Sequence, residues 1–244
     1  MSETKTSKLL AGIDVEAIIK KSIESHVTKE TSQLPGAELL ESYVAEPKKF
    51  KQVTEFVSQK TKDSHTTLYK GYIESLNKVS VKLDTVDRGD VNSRHSDYRS
   101  YKLDETYNLN ATWLHELYFA NCFDPHSEVV MDSSAFLSLQ KTWGTFDDWQ
   151  RDFMACAMAA GNGWAVCGYN IFLKNYVNTV VSNHSQDVMV GLYPIIVLDM
   201  WEHSYYKDYT TDKKSYIVSQ MREFNWTVIE ERFKKSKSLE AALK

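Results

Sequence analysis

Asp199 and His203 stand four residues apart, where the apolar run 195–198 gives out. A carboxylate at a strand end and an imidazole four residues later can converge on one point. Such a pair suits a transition-metal ion, because imidazole is a borderline ligand and the carboxylate brings negative charge. The same spacing also serves a plain hydrogen bond or salt bridge on a helix, so these two residues do not define a metal site by themselves. His26, His95 and His126 lie among polar neighbours without matched partners and read as surface residues.

The longer string Asp199-Met200-Trp201-Glu202-His203-Ser204-Tyr205-Tyr206 is far more specific. It resembles the D-x-W-E-H-x-Y-Y signature of the iron/manganese superoxide dismutases. Further segments are similar to other parts of that family's pattern: Tyr72-Ile73-Glu74-Ser75-Leu76-Asn77, Trp113-Leu114-His115-Glu116-Leu117-Tyr118-Phe119, Thr142-Trp143-Gly144-Thr145-Phe146, Gly161-Asn162-Gly163-Trp164, Gly191-Leu192-Tyr193-Pro194, and Asn225-Trp226 with Arg232-Phe233. The likeness runs from about residue 45 to 235. It implies metal ligands at His115, Asp199 and His203, with His65 as the fourth, and one iron or manganese per chain. Trp113 and Tyr118 resemble iron-type sequences, so iron is preferred. Tyr72 corresponds to the tyrosine beside the substrate channel, and Trp164 and Trp201 to aromatic walls around the metal. Glu202 corresponds to the glutamate that crosses a dimer interface to a ligand histidine, and Tyr206 to the interface tyrosine. The implied activity is disproportionation of superoxide by a homodimer.

The chain also departs from that pattern. His65 is one residue closer to Tyr72 than the family spacing, which lands on Ser64; a local helical bulge would absorb the difference. The family's gateway histidine is absent, with Leu68 or Tyr69 in its place, so Tyr206 loses its cross-dimer partner unless Tyr69 replaces it. No glutamine fits the position that contacts metal-bound solvent: Ala111 occupies one such place, and His184 resembles the histidine that some members use at the other. The alternative for His184 is a solvated turn residue. The residues before position 45 form an extension.

The elements that must position these groups follow from the apolar pattern. Pro47 opens a helical stretch through Asn77, carrying Phe50, Val53, Phe56, Val57, Leu68, Tyr72, Ile73 and Leu76 at helical spacing. Residues 80–104, polar and containing Arg-Gly-Asp, read as a loop. A second helix is expected over 110–122, and shorter ones over 136–140 and 146–158. Three runs rich in Val, Ile and Tyr, 164–172, 176–182 and 193–200, read as strands, and 213–243 returns to helix. The fold class is α+β: an N-terminal helical hairpin, then a small three-stranded antiparallel sheet surrounded by helices. Three segments result: an extension over 1–45, with a short amphipathic helix around residues 9–19 and a loop at 31–36; a hairpin domain over 46–125 with two ligands; and an α/β domain over 126–244 with two more.

Composition sets outer bounds. The 244 residues include 42% hydrophobic and 25% charged positions, the balance of an ordinary globular chain. A net charge of -4 argues against nucleic acid as a partner. There is neither an apolar run of membrane-spanning length nor a secretion signal, and cytoplasmic residence is expected. Cys122, Cys156 and Cys167 form no C-x-x-C pair and read as reduced thiols. The competing class is a non-catalytic structural protein on the same fold, a subunit of a larger assembly reached through the N-terminal extension. Zinc in the same ligands would be redox-silent.

Overall fold

Among the described residues, regular structure begins after Ser58. Its hydroxyl caps helix α1 (Gln59–Thr85) by accepting from the Thr61 amide. The structure, a computed structural model, describes residues 44–242; the expected extension over residues 1–45, with its helix and loop, lies outside them but for its last two residues.

Residues 47–58 are not the helix that their apolar spacing predicts, and neither are residues 44–46 before them helical. The segment runs along the hairpin and spends its backbone groups there. Ala45 exchanges two hydrogen bonds with the Asn77 amide, the Lys48 amide donates to the Tyr69 hydroxyl, and the Val53 amide donates to the Phe123 carbonyl. Phe56 and Val57 anchor it in the core, whereas Val53 is 58% exposed. Tertiary docking overrides the local period.

Helix α2 (Asp97–Cys122) packs along α1. The expected loop over 80–104 shrinks to residues 86–96. Its flanks are helical because their polar residues face solvent while Val79 and Leu83 are buried, and Ser96 caps α2 by accepting from the Arg99 amide. Two short helices follow, α3 (Ser134–Trp143) and α4 (Phe146–Ala159). Three antiparallel strands come next, β1 (Gly163–Asn170), β2 (Asn175–Ser182) and β3 (Leu192–Asp199), in the order β2-β1-β3. The central strand β1 is buried at every position. Gly163 admits no side chain, because a Cβ there would lie 2.2 Å from the Val181 carbonyl.

After β3 the chain forms α5 (Glu202–Tyr209), α6 (Lys213–Arg222) and α7 (Trp226–Ala242). The single helix expected over 213–243 is thus two. The break falls at Asn225, whose amide donates to the Asn121 carbonyl at the end of α2 and whose side chain accepts from the Val228 amide. Arg232 on α7 ties the layers together by donating to the Leu117 and Ile195 carbonyls and to Asn121 Oδ1. Among the described residues the architecture is seven helices around a three-stranded sheet, as the α+β reading requires. The core is rich in rings, with Trp149, Trp164, Tyr118, Phe119, Phe153 and Phe233 each at most 1% exposed; burial of each contributes roughly 2–3 kcal/mol before side-chain entropy.

Candidate metal centre

The last residue of β3 sets the site. Asp199 is fully buried, and each of its polar atoms has a role. Its carbonyl accepts from the Tyr216 hydroxyl at 2.8 Å and from Ser204 Oγ at 3.0 Å. Its Oδ1 accepts from the Trp201 amide at 2.8 Å, beside the N-terminus of α5, where a carboxylate suits the helix dipole. Orientation is therefore fixed from behind, and Oδ2 is left facing inward.

Three imidazoles meet that oxygen. The Nε2 atoms of His65 on α1, His203 on α5 and His115 on α2 lie 3.1, 3.3 and 3.8 Å from Asp199 Oδ2. The four donor atoms all fall within 4.8 Å of one another. His65 and His115 are buried, and His203 retains 27% side-chain exposure. Burial lowers the proton affinity of His65 and His115, so both imidazoles stay neutral, as metal ligation requires. Burial would raise the Asp199 pKa, but His203 and His65 outweigh it and hold the carboxyl far below the usual carboxylate range.

The tautomer of His115 is decided by a backbone carbonyl. Nδ1 lies 2.6 Å from the Ala111 oxygen, which can only accept, so Nδ1 carries the proton. Nε2 is then a bare lone pair. It is buried, has no hydrogen-bond partner, and faces a carboxylate oxygen. Two acceptors opposed in a dry pocket are costly without a cation between them. First-row metals bond such nitrogen and oxygen donors at about 2.0–2.2 Å, so this donor set is close to the span of a single ion. The residues fit a metal.

No bulge is needed to bring His65 in. Helix α1 is uninterrupted α-helix, and the seven residues from His65 to Tyr72 make about two turns, which puts both side chains on one face. Ser64 points elsewhere, accepting from Lys207 Nζ at 2.7 Å.

Beside the imidazoles lies a second polar group. His184 is fully buried, which excludes the solvated-turn alternative. Trp164 Nε1–H donates to His184 Nδ1 at 3.0 Å, and indole nitrogen can only donate. The His184 proton therefore sits on Nε2, 2.9 Å from the Tyr72 hydroxyl oxygen. Burial depresses the His184 pKa to about 4. Trp164 stands edge-on to His115 at 4.9 Å between ring centroids, and Trp201 stacks near both His184 and His203. Glu202 is exposed, and Tyr206 is 50% exposed beside it, so neither joins the buried cluster within one chain.

The Tyr69 hydroxyl is engaged within the chain. Tyr69 is 1% exposed, donates to Glu116 Oε1 at 3.0 Å and accepts from the Lys48 amide; Lys48 Nζ also bonds Glu116. Sequence reasoning missed Tyr216 and Ser204, which hold Asp199, and Tyr107, whose ring lies 4.8 Å from His184 and 6.2 Å from Tyr72. The signal for Tyr107 was available: Tyr107, Ala111 and His115 recur every four residues, on one face of α2.

Comparison with known proteins gives a consistent result. The family described as iron/manganese superoxide dismutases, C-terminal domain, matches residues 133–232. The superoxide dismutase [Fe] of Aquifex pyrophilus is 35% identical over 179 residues, covering 72% of this chain and 83% of that protein. The superoxide dismutase [Mn] of Haloarcula marismortui is 31% identical over 175 residues, 71% and 83% of the two chains. The superoxide dismutase [Fe] of Saccharolobus solfataricus is 28% identical over 192 residues, 78% and 91%.

Proposed function

The chain belongs to the iron/manganese superoxide dismutase family, and from that premise we propose that it disproportionates superoxide to oxygen and hydrogen peroxide at the His65, His115, Asp199 and His203 cluster. The observation that carries the reading is the meeting of three imidazole nitrogens on one buried carboxylate oxygen, with the His115 lone pair unpartnered. A bound iron or manganese supplies the one-electron couple: an electron leaves one superoxide to give oxygen and passes to a second, which takes two protons to give hydrogen peroxide.

The chain's own residues do the rest. Three neutral imidazoles and one carboxylate set a single negative charge at the centre and leave the net charge positive when the ion is present. Trp164 and Trp201 exclude bulk water. The one N–H of His184 holds the Tyr72 hydroxyl in a fixed orientation beside the centre. Tyr72, whose pKa burial and Tyr107 push upward, stays protonated and so can donate to the reduced product.

Iron is favoured over manganese by the iron-named relatives at 35% and 34% identity and by Trp113 and Tyr118. Exposed Glu202 and Tyr206, flanking a ligand that itself reaches the surface, support a homodimer built across the site. No helix among the described residues is long and apolar enough to cross a membrane. Three free cysteines support residence in the reducing cytoplasm.

The test is elemental analysis of the purified protein beside a superoxide-consumption assay on the same sample. About one iron or manganese per chain with activity is the expected result. No metal, or zinc alone, and no activity after reconstitution with either metal would leave a structural scaffold.

A further inference from the structure

His65 is held differently from the other buried imidazole of the cluster. The His115 ring is fixed through Nδ1 by the Ala111 carbonyl, whereas His65 Nδ1 is buried and has no hydrogen-bond partner among the described residues. A ligand imidazole is ordinarily oriented through its second nitrogen. For His65 that task falls to its ring neighbours and to the placement of α1 itself. His65 lies one turn beyond Thr61 on the same face of α1, so the first turn of the helix sets where the imidazole stands.

That turn is gripped from α5. Three consecutive side chains at the end of α5 reach the start of α1. Lys207 Nζ donates to Ser64 Oγ at 2.7 Å, and the Tyr209 hydroxyl donates to the Phe56 carbonyl. Between them, Asp208 Oδ2 accepts from the Ser58 amide at 2.9 Å and from the fully buried Thr61 hydroxyl at 2.7 Å. Helix α1 has no acidic residue in its own first turn, so Asp208 also supplies the negative charge that suits its N-terminus. Helix α5 is only eight residues long, with His203 in its first turn and this grip in its last. The His65 and His203 rings meet edge-on, 4.8 Å apart between centroids.

We propose that Asp208 is a positioning residue for the metal centre: by accepting the Ser58 amide and the Thr61 hydroxyl on one oxygen, it locks the first turn of α1 to the last turn of α5 and holds His65 at its distance from His203. The inference rests on the metal-dependent reading of the cluster. Asp208 touches no ligand. It acts through two helices, each of which carries one imidazole about a turn from the lock. Without it, α1 can shift along α5, and His65, whose second nitrogen is tied to nothing, moves with its helix.

Cobalt(II) is the probe, since imidazole and carboxylate ligands hold it and its visible absorption follows the shape of its coordination. In the full chain carrying Asp208→Ala, release of cobalt to excess chelator is expected to be about tenfold faster than in wild type, the low end for a residue that supports a ligand, with an altered visible band. Asp208→Asn keeps an acceptor oxygen and should restore the wild-type band, with release within about threefold of wild type. Glu230→Ala controls for lost stability alone. Glu230 accepts from the Ser134 and Ala135 amides at the start of α3, so its removal should lower the urea midpoint and leave the cobalt band and release unchanged. In the metal-free proteins, the Ser58 and Lys62 amides should exchange faster in Asp208→Ala than in wild type. A wild-type band and release in Asp208→Ala, an Asp208→Asn no better than Asp208→Ala, or a Glu230→Ala that releases cobalt as fast as Asp208→Ala overturns the proposal. A wild-type chain that takes up no cobalt defeats the metal-centre reading instead, and the metal-free exchange still tells whether Asp208 locks α1 to α5.

Discussion

At the residue scale, the centre is a problem of lone pairs. The Ala111 carbonyl fixes the His115 tautomer, and the backbone of Trp201 fixes one Asp199 oxygen, so a nitrogen and an oxygen acceptor face each other. His115→Ala removes one of the pair and should weaken metal binding by ~100-fold or more, beyond the 10–100-fold that a supporting partner costs; metal content after dialysis against a graded chelator reads this directly. His184 makes a separate prediction. An unfolded histidine takes its proton near 6.5, whereas burial holds native His184 to about 4. Between those values the unfolded state binds more protons, so stability is retained above the upper value and lost as pH falls through the window. The thermal midpoint of the metal-free protein should therefore drop between pH 6.5 and 4, and less steeply in His184→Gln. Equal slopes in the two proteins would remove His184 as the cause.

At the element scale, each ligand sits where a helix or strand is pinned by something other than itself. Arg232 is the clearest pin, a guanidinium reaching the Leu117 carbonyl on α2, Asn121 beyond it and the Ile195 carbonyl on β3. Burial lowers its pKa to about 10, so it remains charged at neutral pH. Arg232→Met leaves those acceptors without a donor and should cost ~2–4 kcal/mol, seen as a lower urea midpoint at unchanged slope. Element type was legible from the sequence wherever apolar spacing was backed by burial, as in the three strands and the middle of the hairpin. It failed at residues 47–58, where Phe50 and Phe56 keep helical spacing yet the backbone bonds to Tyr69 and Phe123. It failed again at 97–109, where a polar surface concealed a capped helix, and at Asn225, a break set by contact with Asn121. At the centre, a signature string flagged Asp199 and His203. His65 was named as the fourth ligand although strict family spacing falls on Ser64, Tyr107 shares the four-residue recurrence of Ala111 and His115 on α2, and Tyr216 belongs to an element whose packing no local motif announces.

At the scale of the whole molecule, Glu202 and Tyr206 lie exposed beside a ligand with 27% of its side chain uncovered. A homodimer that closes over this face should sediment at twice the 28.1 kDa of one chain at micromolar concentration. Glu202→Ala should shift it toward monomer and loosen the metal in the same samples. A wild-type protein that stays monomeric throughout would mean that the chain guards His203 alone.

The four donors are not spread evenly along the chain. His65 and His115 lie on α1 and α2, while Asp199 and His203 follow eighty-four and eighty-eight residues after His115, at the end of β3 and on α5. During synthesis the first two imidazoles leave the ribosome long before the carboxylate that completes their site exists. A nascent chain stopped short of Asp199 can offer an ion only two neutral nitrogens, a grip that cellular chelators outcompete. Metal selection is thereby postponed until the sheet has formed, and which ion is installed becomes a question of what the compartment supplies at the end of folding rather than at its start.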